Sequence, residues 1–327
     1  MMRLLEVELT RLLCRRAVLV LLAVALVAPV AIGVATALNT SPPSAERLAK
    51  AERQAERQAD DPRNQRMLQR CVDDPEEYIG RVPADPEAEC AEAYLPQPEW
   101  FVYWEPLELA RERDEGSGIV LLVVLGIAMM LVGATFAGHD WASGSVSNQL
   151  LFEPRRARVW AAKAVVVTAV PLALAAGVTT AYWLGLGWLA RSRDIAVPTD
   201  LLLDCLQTGW RGAAVVAAAA LGGYALTMLF RSTVAALGIM FGLALVGGMA
   251  VAVIGIGSVW NPALNVLAVV LDGTTYWATE PCGPRAGGSL CEVERPLSFE
   301  RGTTFTGALL VAGVAASLLS FRRRDVA

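Results

Sequence analysis

The sequence predicts an all-α polytopic membrane protein, and three observations carry that expectation. The chain of 327 residues is 55% apolar and only 18% charged, with a mean hydropathy of +0.45. Its apolar residues gather into long runs nearly free of charge, and its charged residues gather between them. The runs lack the two-residue alternation of a barrel strand, and about 18 apolar residues suffice to cross a hydrocarbon core as a helix.

Six runs meet that length or come close: 17–38, 119–137, 159–190, 212–230, 233–256 and 305–321. The third exceeds what one span needs, which predicts tilt or projection, and Pro171 inside it predicts a kink. The apolar stretch from Trp260 to Leu271 is too short to cross. Bounded by Asn261-Pro262 and Asp272-Gly273, it is expected to be a re-entrant or interfacial element within an outer region, 257–304.

Orientation follows from basic residues at the span ends. Arg11, Arg15 and Arg16 precede the first span; Arg155, Arg156, Arg158 and Lys163 surround the entry to the third. Arg231 sits in the link between the fourth and fifth, and Arg322, Arg323 and Arg324 open the tail 322–327. Six spans place all of these on one side, expected to be the cytoplasm of a plasma (inner) membrane protein with both termini inside. Lys163, one turn into its span, is expected to snorkel to that face. Ala35-Thr36-Ala37 looks like a signal-peptidase site, but Glu6 and Glu8 interrupt the basic start and the apolar run is long, so the first helix is expected to be retained.

The segment 39–118 then faces outward. It holds ten basic and nineteen acidic residues, a net charge of −9. Ser44–Arg70 is rich in helix formers with Ser44 placed to cap, so a helical insertion between the first two spans is expected, followed by Pro-rich stretches from Pro75 to Pro98. Trp100-Phe101-Val102-Tyr103-Trp104 fits an interfacial belt or the core of this insertion, with an exit lining as the sharper alternative. Cys71, Cys90, Cys282 and Cys291 all fall outside; local pairing, Cys71 with Cys90 and Cys282 with Cys291, is the simplest of the three arrangements they allow. With no histidine outside, no metal site is expected.

The chemistry of catalysis is missing from the pattern. There is no GxxxxGK[ST] loop to cradle ATP, no HExxH, no GxSxG, and one histidine, His139. Apart from Lys163 the spans carry almost no ionisable residue, which argues against an ion-coupled transporter or a membrane enzyme and for a pathway powered from outside the membrane. No cofactor of its own and no nucleic-acid partner are expected.

Two cytoplasmic elements complete the sequence picture. Residues 1–16 form an amphipathic interfacial helix, with Leu5, Leu9, Leu12 and Leu13 on one face and Arg3, Glu6 and Thr10 on another. Residues 138–158 form a compact segment: Gly144 permits a turn, a short helix carries Leu150 and Leu151, and Pro154 ends it.

This stretch resembles the type-2 ABC permease family, the membrane subunits of bacterial exporters of drugs, lipids, polysaccharides and peptides. The matching features are Phe136-Ala137-Gly138, Asp140, Gly144-Ser145, Leu150-Leu151, Pro154-Arg155-Arg156 and Lys163. The likeness extends to the N-terminal amphipathic helix, the six-span layout and the Phe321-Arg322-Arg323-Arg324-Asp325 end. His139 stands where a Glu is usual, and Ser145 where a Thr is usual. The resemblance implies a coupling helix in which His139, Asp140, Trp141, Gly144, Ser145, Leu150, Leu151, Pro154, Arg155 and Arg156 meet a separate ATPase subunit that binds ATP and Mg. It implies an exporter of a hydrophobic or amphipathic substrate built from two copies, with Thr168, Thr179, Thr180, Tyr224 and Thr227 facing a substrate path or bonding between helices. A membrane-anchored sensor using its outer segment to bind a partner is the alternative.

Overall fold

The structure, a computed structural model, describes residues 2–102, 104–242, 258–281 and 290–323. Among them five helices are long and apolar enough to cross a membrane: 16–39, the pair of helices within 109–142, 156–192, 199–230 and 299–323. The architecture is that of an all-α polytopic membrane protein. The expected fifth span, 233–256, is described only as the helix α12, Thr233–Gly242; its remainder lies outside the described residues.

The chain divides into two units, Ala35–Leu107 and the rest. In the larger unit α1 (Met2–Leu13) is followed by α2 (Arg16–Asn39), whose first residues belong here. Then come α7 (Leu109–Asp114), α8 (Ser117–Ala142), α9 (Ser145–Phe152), α10 (Arg156–Ser192) and α11 (Thr199–Phe230). After α12, α13 (Pro262–Leu271) leads into a hairpin, β1 (Thr274–Pro281) and β2 (Leu290–Leu297), and α14 (Phe299–Arg323) ends the unit.

Helix α11 sits between α8 and α10. It approaches α8 backbone to backbone because the facing positions carry no side chain: a methyl added at Gly133 would lie 2.0 Å from the Ala220 carbonyl oxygen, and one at Gly223 would lie 2.4 Å from that of Met130. Against α10 the Tyr224 hydroxyl donates to the Trp160 carbonyl at 3.0 Å, and the Trp160 indole donates to Ser317 of α14 at 3.2 Å. At one end of this bundle Trp141 meets both Arg231, 4.7 Å from its ring, and Phe321. The other end holds the Arg211–Asp272 ion pair at 2.9 Å and the edge-on contact of Trp260 with Phe305.

Several expectations are corrected here. The expected spans 159–190 and 212–230 are each parts of longer helices. Helix α10 runs 37 residues, about 55 Å at about 1.5 Å per residue, with Pro171 inside it but not ending it. Helix α11 starts at Thr199, just after Pro198. The polar residues Asp204 and Gln207 disguise this helical start; Thr179 reaches across from α10 to the Gly209 carbonyl at 3.3 Å. Within region 257–304 the described residues form defined elements: Asn261 caps α13 through Ala263, Asp272 closes it in the left-handed conformation, and two antiparallel strands pair Thr274 with Leu297. Helix α14 begins at Phe299, six residues before the expected span.

The smaller unit holds α3 (Ala45–Ala59), α4 (Pro62–Asp73), α5 (Pro75–Ile79) and α6 (Pro86–Tyr94). Ser44 caps α3, accepting from the Arg47 amide. The helix expected over Ser44–Arg70 is broken after Ala59, because Asp61 caps a new helix whose first residue is Pro62. The same Asp-Pro device starts α5 at Asp74-Pro75 and α6 at Asp85-Pro86. Cys71 and Cys90 form a disulfide joining α4 to α6, and both are buried. Trp104 donates to the Thr40 carbonyl at 3.2 Å, whereas Trp100 is exposed. In the larger unit Cys291 is disulfide-bonded; Cys282 lies outside the described residues, as does Tyr103.

Candidate functional site

The segment expected to meet a partner is the turn between α8 and α10. Helix α8 continues past the expected span end, so His139, Asp140 and Trp141 form its last turn. Gly144 then takes φ 66°, a left-handed conformation that costs a side-chain-bearing residue energy, and reverses the chain into α9. Glu153 and Pro154 end α9, and α10 begins two residues later.

Within this turn the side chains divide into two sets. One faces inward. Lys163 is buried, 1% exposed, and does not snorkel. Its ammonium donates to Glu8 of α1 at 2.7 Å and to Asp140 of α8 at 2.6 Å, and both carboxylates are 0% exposed. A lone ammonium at this depth is costly, so its expected route was outward; two converging carboxylates remove that need. Around the triad, Arg15 bonds Asp140 and the Phe136 carbonyl. Arg11 donates to Ser145 at 3.0 Å, Gln149 at 3.1 Å and Glu8 at 3.3 Å. Ser145 donates to Asp140 at 2.8 Å, and Gln149 to Glu8. Arg15 and Lys163 both approach the Phe136 ring, at 4.6 and 5.1 Å. Four elements, α1, α8, α9 and α10, are thereby tied at one point.

The other set faces outward. Leu151 is 80% and Phe152 is 91% exposed at the tip of α9. Leu150 is half-buried, and Val146 is the buried residue that seats the helix. His139, Pro154 and Arg155 are exposed, with Arg156 half-buried. The acidic residue of the expected contact, Asp140, is consumed inside, so His139 is the residue of that pair presented outward.

The polar residues of the spans have local partners. Thr168 donates to Ala164 within its own helix, at 2.8 Å. Thr179 bonds Gly209 across helices, Thr180 accepts from the Trp210 indole at 3.0 Å, and Tyr224 bonds Trp160. The buried Thr227 hydroxyl has no hydrogen-bond partner. Among the described residues no group of His, Cys, Asp and Glu is arranged to hold a metal ion.

Sequence reasoning missed Glu8, Arg11 and Gln149 as site residues, and Phe152 as the most exposed apolar side chain of α9. The period of α1 carried a signal: Glu8 and Leu12 lie one turn apart, on the face that is buried. No family model matches the chain, and no curated protein or solved structure matches it.

Proposed function

We propose that the chain is the membrane-spanning permease subunit of an ATP-driven ABC transporter, an exporter of a hydrophobic or amphipathic substrate such as a drug, lipid or peptide. One observation carries this reading: a short helix with an apolar, solvent-facing tip, Leu151 and Phe152, is braced at its base by the buried Glu8–Lys163–Asp140 triad. A partner that seats the tip moves α9, and the triad passes that displacement to α1, α8 and α10 together. The partner in this reading is a separate ATPase subunit that binds ATP and Mg, whose closure biases the membrane part between two states. Two copies of the chain related by a two-fold axis make the working unit, a sixth span through 233–256 completes each copy, and both termini face the cytoplasm.

The test is a photoreactive residue at Phe152 in cells that also make the cognate P-loop ATPase. Cross-linking to that ATPase, and loss of its co-purification in the Leu151→Asp/Phe152→Asp variant with normal membrane insertion, are expected. Full ATPase binding and full transport by that variant would sink the reading.

The sensor alternative draws on a different observation, the separate compactness and disulfide of Ala35–Leu107. Deleting 45–94 discriminates: an exporter keeps its ATPase partner, whereas a sensor loses its function with the ATPase irrelevant.

A further inference from the structure

We propose that the cleft between α2 and α8 is a binding site for one anionic phospholipid, with the headgroup on Arg16 and an acyl chain in the cleft. The site does not depend on what the protein transports.

The cleft holds about 410 Å³ and is lined by Ala17, Val20 and Leu21 of α2 and by Leu131 and Thr135 of α8, with Arg16 at its lip. Thr135 spends its hydroxyl on the Leu131 carbonyl at 2.7 Å, so the walls offer an occupant apolar surface rather than hydrogen bonds. Water gains nothing in such a space, which needs polar partners to hold it. A hydrocarbon chain fills it without a desolvation penalty. The rest of α2 supports a lipid setting, since Val24, Val27 and Val30 are all exposed.

Charge selects the headgroup. Arg11 and Arg15 are bound to Glu8 and Asp140, but Arg16 is exposed and pairs with no acid among the described residues. The cluster beside it already holds three cations, Arg11, Arg15 and Lys163, against two carboxylates. A phosphodiester supplies the missing negative charge, and a guanidinium binds it with two parallel N–H donors. A zwitterionic headgroup brings a further cation to a place already rich in them, so an anionic one is preferred.

The experiment is native mass spectrometry of the full chain, released from detergent containing either phosphatidylglycerol or phosphatidylcholine of the same acyl chains. One retained phosphatidylglycerol per chain is expected, with phosphatidylcholine lost. Arg16→Gln should weaken retention about fivefold, the worth of one basic residue at an anionic surface. Leu131→Trp, which fills the cleft, should abolish it, and Arg3→Gln on α1 should leave it unchanged. Excess inorganic phosphate should not displace the lipid, because the acyl chain contributes to binding. Equal retention of the two lipids, displacement by phosphate, or unchanged retention in Arg16→Gln would each overturn the proposal. Should a variant fail to fold, a photoreactive phosphatidylglycerol on the wild-type chain decides. Cross-links confined to 16–21 and 131–135 support the site, and cross-links spread evenly over the spans overturn it.

Discussion

Lys163 and Glu8 lie 155 positions apart in the chain, yet the ammonium of one is 2.7 Å from the carboxylate of the other, with both side chains sealed from solvent. Asp140 completes the group, accepting from the same nitrogen at 2.6 Å. Removing one member of a buried ion group strands the others, which costs more than the group contributes when whole.

Lys163→Met therefore should destabilise the protein by about 3–5 kcal/mol, because two carboxylates are left buried without their cation. Lys163→Arg should retain part of the stability, and the neutral triple variant Glu8→Gln/Asp140→Asn/Lys163→Met should recover most of it. Thermal unfolding followed by detergent-resistant monodispersity measures this; a single variant as stable as wild type would remove the bracing role.

The α8–α11 contact makes a second prediction. Gly133→Ala places a methyl 2.0 Å from the Ala220 carbonyl oxygen, so the two helices must separate, at a cost of about 1–3 kcal/mol. Gly126→Ala, with open space around it, is the control and should be neutral or slightly stabilising. Equal effects at both positions in an unfolding titration would mean the close approach is not what Gly133 serves.

In the smaller unit, Cys71→Ser/Cys90→Ser should cost about 3 kcal/mol, the chain-entropy value for a loop of this size; the bridge spans 19 positions. Non-reducing peptide mapping should recover the fragments of Cys71 and Cys90 as one linked species. A free Cys90 in protein from an oxidising compartment would contradict the bond.

Sidedness is the fourth. The Arg15–Asp140, Arg231–Trp141 and Phe321–Trp141 contacts collect the basic segments at one end of the larger unit, and that end should face the cytoplasm. Single cysteines introduced near Asp60 should react with an impermeant label on intact cells, while one near Arg322 should not. The reverse pattern would invert the topology.

Apolar runs are a one-dimensional property, and five of the six expected runs fall on helices long and apolar enough to cross a membrane. The sequence revealed their ends badly. The start of α11 reads as a loop because Asp200 and Asp204 occupy turns that project beyond the apolar run. The hairpin is written in the alternation of Cys291–Arg295 opposite Thr274–Thr279, but the Pro, Gly and Cys between the strands carry the composition of a loop. The three Asp-Pro pairs of the smaller unit each mark a helix start: Asp61-Pro62 breaks the helix-forming stretch Ser44–Arg70, and Asp74-Pro75 and Asp85-Pro86 open helices within the Pro-rich stretch. Lys163 was misplaced for a deeper reason: whether a buried charge is tolerable depends on partners that only the fold supplies, and its partners sit on two other helices.

The triad also sets an order of events during synthesis. Glu8 is made 155 positions ahead of its counter-ion, so at about 5–20 residues per second the acid waits on the order of ten seconds or more for Lys163. Until then α1 has reason to stay at the aqueous surface, where a carboxylate is well hydrated. Helix α1 is thus made first but seated only when Lys163 arrives, and a ribosome stalled before residue 163 leaves a nascent chain whose α1 is still loose and open to quality-control proteases.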